Sequence, residues 1–282
     1  MPAFSIIDTH VHFWDDSAVP ISWQKGTALD RPFRPADFEN DHGQVSLEAI
    51  VFVEADVDPP GHIAEADFVS NLAATNRTIK AIVAHAPMTS EHVADDLNAL
   101  SHRPLVRAVR YLIQGKDAAA LCASSSFRNA LKLLPSYNFH FELCILHDQL
   151  KPVLSLVESL PDVSFVMDHI AKPGIKAGLR EPWWSEIEAL AALPNVTCKL
   201  SGVATEADHD TWNEERLRPY LDRVLEMFGP DRIMFGSDWP VMRLAIDYPR
   251  WVEIVDNALS SLSEDDRRKI YVDNARRIYR IN

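Results

Sequence analysis

Eight short β-branched, apolar runs recur along the chain, and stretches of helical patterning lie between them. That alternation limits the fold more than any other feature. The runs are Phe4–Asp8, Ala49–Glu54, Ile79–His85, Val106–Tyr111, Phe139–Leu146, Val163–Asp168, Val196–Leu200 and Ile233–Ser237. They are spaced by about 35 residues, a common size for one strand–helix unit. Helical periodicity is read over Ile63–Thr75, Ser90–Leu100, Phe127–Leu134, Leu150–Ser159, Trp183–Leu193, Trp212–Phe228 and Tyr248–Leu259. Alternating elements build a parallel sheet covered by helices, and eight repeats close it into a (β/α)8 TIM barrel. One such domain accounts for residues 1–282, since barrels run to about 250 residues as a single unit. An open doubly wound sheet is the rival, but no Gly-rich turn follows the first strand. GxGxxG and GxxxxGK[ST] motifs are both absent.

Charge and cysteine content narrow the class further. Forty-one acidic residues against 28 basic ones give a net charge of −13, the opposite of a nucleic-acid footprint. Cys122, Cys144 and Cys198 are an odd, scattered set, neither a disulfide framework nor a cysteine metal cluster. No apolar run approaches the ~20 residues needed to span a bilayer. The N-terminus lacks a signal-peptide pattern, so a cytoplasmic protein without membrane partners is expected. No sequence feature dictates an oligomeric state.

The first strand–helix connection, residues 14–47, is unusually long and rich in Pro, Asp and aromatics, with a short helix expected over Pro35–Asn40. Loops of this length are either functional lids or surface excursions. The C-terminal SEDDRRKIYVDNARRIY reads as an amphipathic helix pair capped by Ser263, a closing structural element.

His10 and His12 carry the strongest local chemical signal. Residues two apart on a strand share a face, and in a barrel that face is the interior, near the carboxyl end where active sites form. Two imidazoles there suit a zinc-class ion, or polarisation of a carbonyl without metal. Asp238, in MFGSDWPV, follows the last strand. Ring closure makes the last strand the neighbour of the first, about 5 Å away. A carboxylate beside two histidines can take a proton from water and return it to a leaving group. The competing assignment for Asp238 is a helix cap. His169, in FVMDHIAKP, is either a third nitrogen ligand, a donor to substrate or a structural histidine, and its neighbour Asp168 is expected to face the helix layer.

Glu142 and Glu54 are strand carboxylates that need a cation, a metal or a substrate hydroxyl if buried. Arg110 offers a fork for a carboxylate or carbonyl, and Lys199 either fixes a hydroxyl or neutralises interior acids. Trp14, Trp23 and Trp239 are candidate pocket walls. His85 and His147 read as loop or packing residues. No GxSxG elbow supports serine catalysis.

With these residues in view, the chain resembles the amidohydrolase superfamily. More narrowly it is similar to the amidohydrolase-2 lactonase group, which includes sugar-acid lactonases and 2-pyrone-4,6-dicarboxylate lactonase. The matching segments are IIDTHVHFW (6–14), RPFRPADF (31–38), LVRAVRYL (105–112), FVMDHIAKP (165–173), NVTCKLSG (195–202), FGPDRIMFGSDWPV (228–241) and NARRIY (274–279). The resemblance implies a (β/α)8 barrel that opens a small polar lactone with water. It gives His10, His12, His169 and Asp238 catalytic roles, Asp238 as the proton shuttle, and Arg110 contact with the substrate's carbonyl or carboxylate. Lys199, Glu142, Trp239 and Glu54 are further substrate-binding candidates. The fourth strand ends in arginine with no bridging lysine, which disfavours a two-metal centre. One zinc-like ion held by some of His10, His12, His169, Glu142 and Asp238 is compatible, as is metal-independent catalysis. The alternatives are a metal-dependent decarboxylase and a non-catalytic small-molecule-binding barrel.

Overall fold

The computed structural model describes residues 2–281. Eight parallel strands follow one another in chain order around a nearly closed barrel. They are β1 (Ile6–Val11), β2 (Leu47–Val53), β3 (Ile79–His85), β4 (Val106–Arg110), β5 (His140–Leu143), β6 (Phe165–Met167), β7 (Val196–Leu200) and β8 (Ile233–Phe235). The strands are nearly all apolar and buried because both faces are covered, one by helices and one by the barrel interior. The principal outer helices include α1 (His62–Thr75), α2 (Val93–Ser101), α3 (Leu150–Glu158), α4 (Trp183–Ala191), α5 (Glu214–Phe228) and α6 (Tyr248–Ala258). No helix among the described residues is long and apolar enough to cross a membrane.

The seam between β1 and β8 closes at its carboxyl end. Asp238 N donates to His10 O (2.9 Å), and His12 N donates to Trp239 O (2.7 Å). Asp8 clasps the same seam. Its carboxylate accepts from the backbone N–H groups of His10 (3.0 Å) and Ser237 (2.9 Å) and from the Tyr248 hydroxyl (3.0 Å). The register of β1 against β2 shifts between Asp8 and Val11. Such a bulge re-aims side chains, so Asp8 reaches Tyr248 on α6 while His10 and His12 face inward.

The first strand runs to Val11 rather than stopping at Asp8. Its polar DTH residues hide the continuation because they serve the interior rather than a solvent face. β5 and β8 are shorter than the apolar runs suggest, ending at Leu143 and Phe235. A short helix over Ala118–Ala123, capped by Asp117, was not legible in the periodicity.

The 14–47 segment folds back over the barrel mouth. Trp14 pairs with Phe33 through backbone bonds (3.0 and 2.9 Å), and its indole N–H donates to Arg31 O (2.8 Å). A helix over Pro35–Asp41 then sets Phe38 against Trp239. At the opposite end, the C-terminal region is one bent helix. Glu264–Arg268, capped by Ser263, passes through a wide turn at Lys269–Asp273 into Asn274–Tyr279. It delivers the buried Tyr279 hydroxyl to Glu142 Oε1, 2.6 Å away.

Candidate active site

At the carboxyl end of the barrel three imidazoles surround one carboxylate oxygen. Asp238 Oδ1 lies 3.3 Å from His12 Nε2, 3.7 Å from His10 Nε2 and 3.9 Å from His169 Nε2. Each ring has its other nitrogen engaged elsewhere. His12 Nδ1 donates to Val53 O (2.8 Å), and His169 Nδ1 meets Ser201 Oγ (2.9 Å). His10 Nδ1 lies 3.3 Å from Asp168 Oδ1. Outer partners of this kind fix ring orientation and tautomer.

Burial pushes His10 and His169 down from the ordinary histidine range, His169 to about 4, so both rings are neutral near pH 7. Burial also pushes Asp238 up, but the imidazoles around it, His169 foremost, outweigh that and hold its carboxyl below the usual carboxylate range, so it is ionised. Lone pairs of neutral rings and a carboxylate oxygen thus converge on one point. That is the deprotonated donor set a divalent cation requires. Among the described residues, two groupings have suitable geometry, His10–His12–Asp238 and His10–Asp168–His169.

The local backbone is built to allow this crowding. Gly202 adopts a φ of +58°, and a Cβ there would stand 2.6 Å from His169 Nδ1 and 3.1 Å from Asp238 Oδ2. Gly236 lets β8 pass His10 with only 3.0 Å between its would-be Cβ and His10 Cβ.

Asp168 corrects the expectation that it faces the helices. It lies inside the barrel, bound to Arg110 Nη1 (3.2 Å) and Lys199 Nζ (3.2 Å). β6 stops at Met167, and His169, Ile170, Ala171 and Lys172 all take positive φ. The two-residue alternation of a strand therefore no longer applies, and Asp168 and His169 both turn inward.

The other candidates divide into two groups. Arg110 lines the mouth, but its donors are engaged by the protein: Nε with Glu54 Oε1 (2.6 Å), Nη2 with Glu54 O (2.6 Å) and Nη1 with Asp168. Glu54 is sealed beneath Arg110. Glu142 and Lys199 pair with one another deeper in the barrel, beside Tyr279. Glu142 belongs to neither candidate metal grouping. The Trp239 ring is buried against Phe13, Phe33 and Phe38, and its N–H donates to Asp41 Oδ2 (2.8 Å). Trp23 instead reaches the cavity that opens over His12, His169 and Asp238. That cavity holds about 280 Å³ and is also lined by Asp56, Gln114, Cys144 and Lys172. Sequence reasoning missed Asp56 and Lys172. Asp56 follows a strand carboxylate that drew attention first, and Lys172 reaches the mouth only through the left-handed turn after His169.

A carboxylate and histidines gathered at the mouth of a (β/α)8 barrel define an amidohydrolase-type site. The chain belongs to the amidohydrolase family, whose model matches residues 7–281. It is 29% identical to an L-fucono-1,5-lactonase of Burkholderia ambifaria, over 98% of this chain and 96% of that protein. It is 30% identical to one of Burkholderia multivorans, over 97% and 95%. A B. multivorans amidohydrolase solved with bound zinc superposes with a TM-score of 0.89 at 28% identity, covering 99% of this chain and 100% of that one.

Proposed function

We propose that this protein is a lactonase that opens a small, polar lactone to its hydroxy acid. The observation carrying this reading is the convergence of three imidazole Nε2 atoms on Asp238 Oδ1 beneath a cavity that Asp56, Arg110, Gln114 and Lys172 also line. The similar lactonases support it. Asp238, held ionised, accepts a proton from water as the water oxygen bonds to the lactone carbonyl carbon. Arg110 and Lys172 supply positive charge beside the oxygen that becomes anionic. As the tetrahedral carbon expels its ring oxygen, Asp238 returns the proton to that alkoxide. The product is a hydroxy acid, which releases a proton at neutral pH.

His10, His12, His169 and Asp238 have the donor chemistry to hold one zinc-class ion, which when bound acidifies water and polarises a carbonyl. The neutral His10 and His169 rings and the ionised Asp238 are the fitting protonation states. The three cysteines are free and buried, in keeping with a reducing, cytoplasmic location.

The test is turnover of a lactone panel in weakly buffered medium, with metal content measured on the purified protein. Acidification without carbon dioxide, and about one zinc-class ion per chain lost in the His10→Gln and His12→Gln variants, is expected. Carbon dioxide release from carboxylated aromatics would overturn the reading in favour of a decarboxylase. Tight ligand binding with no turnover across the panel would reduce the protein to a binding barrel.

A further inference from the structure

Resting on the lactonase reading, we infer that the mouth selects an uncharged, polyhydroxylated lactone ring, with Trp23 as its platform and Asp56 as a hydroxyl acceptor that repels substrate carboxylates. A dicarboxylic lactone needs two cationic seats. Among the described residues, Arg110 and Lys172 are the cationic side chains that line the cavity. Arg110 already holds Glu54 and Asp168. Lys172 has Glu206 Oε1 at 3.9 Å and shares the cavity with Asp238.

Against these stand two carboxylates in the same lining, Asp56 and Asp238. Asp56 has no ion pair and no side-chain hydrogen bond among the described residues; only its backbone N–H is engaged, with Glu54 Oε2 (2.8 Å). Its backbone holds a φ of +54°, so it is kept at the rim at some conformational cost. Burial and the neighbouring Glu54 charge push its carboxyl up from the ordinary range. A second negative charge brought alongside would be opposed in the same way, whereas a hydroxyl donor would be accepted.

Trp23 is 42% exposed, unusual for an indole in this chain, yet it is not free to swing. Its N–H donates to Ala55 O (2.7 Å), and Trp14 packs on it at 5.5 Å between centroids. A fixed aromatic face suits the C–H face of a sugar ring, while Asp56 and Gln114 offer polar atoms to its hydroxyls.

The experiment compares neutral pentono- and hexonolactones with carboxylated lactones such as 2-pyrone-4,6-dicarboxylate. Calorimetric binding of a hexonolactam and of pyridine-2,4-dicarboxylate runs alongside. Wild type is expected to show a kcat/KM at least 100-fold higher for the best neutral lactone, and to bind the lactam but not the dianion. Trp23→Ala should raise KM for the neutral lactone at least fivefold with little change in kcat. Asp56→Asn should narrow the gap between the two substrate classes at least tenfold, chiefly through KM. A wild-type preference for the carboxylated class would overturn the inference while leaving the lactonase reading intact, as would an Asp56→Asn effect equal on both classes. Lactam binding without turnover of any lactone would do the reverse.

Discussion

The barrel holds two polar clusters that share residue types but not chemistry. In the floor, Glu142 is shared between the Lys199 ammonium and the Tyr279 hydroxyl, and Lys199 also faces Asp168. Both Glu142 and Lys199 are fully buried. At the mouth, His10, His12, His169 and Asp238 bring acceptors together and border a cavity. The floor satisfies its charges internally, so it is a structural device. At the mouth, the Nε2 atoms of His10, His12 and His169 gather on Asp238 Oδ1 with the Arg110 Nη1 donor 3.4 Å from His10 Nε2, a set of acceptors that suits an entering cation or proton. A buried carboxylate is therefore not catalytic by burial alone. What distinguishes Asp238 from Glu142 is the surplus of acceptors around it.

This contrast breaks most sharply at Asp238. Asp238→Asn is expected to lower turnover by about 100–10,000-fold while changing thermal stability little. Near-parent rates on the true substrate would reverse the two assignments. Lys199→Met should do the opposite, costing about 3–5 kcal/mol of stability because it strands buried carboxylates. Denaturant titration reads that loss. Tyr279→Phe removes one hydrogen bond to a charged group and should cost about 1.5–3 kcal/mol, leaving the pH profile of turnover in place.

The smallest effect is expected outside both clusters, at Glu65, in the first turn of the helix after β2, where it accepts from Ala55 N (2.7 Å). Burial, reinforced by the charge of Glu54, pushes its carboxyl well above the usual glutamate range. The native state thus keeps a proton that the unfolded chain releases above about 4.5. Stability falls as pH rises from there through the native pKa. Glu65→Gln should therefore stabilise at about pH 8, with the gain vanishing as pH approaches 4.5. A melting-temperature series across that range checks the sign.

The architecture was largely legible in the sequence because eight buried strands must be written in apolar residues. The convergence of the candidate residues was legible too: His10, His12, His169 and Asp238 sit at strand ends, where barrel geometry brings distant residues together. Three features were hidden. Asp168 was assigned outward because alternation assumes extended backbone, and the chain turns left-handed immediately after it. The Trp239 ring was a plausible wall until the 14–47 segment covered it and placed Trp23 at the cavity instead. Arg110 reads as a free fork in sequence, yet Glu54, two strands earlier, already holds it.

The Tyr279 hydroxyl has a consequence in time. The carboxylate it closes belongs to a strand made 137 residues sooner. Until the helix carrying Tyr279 packs beneath the barrel, that acid keeps Lys199 and lacks its second partner. Closing a contact of such long sequence separation is entropically slow, so the floor of the barrel completes late in folding, after the strands have paired.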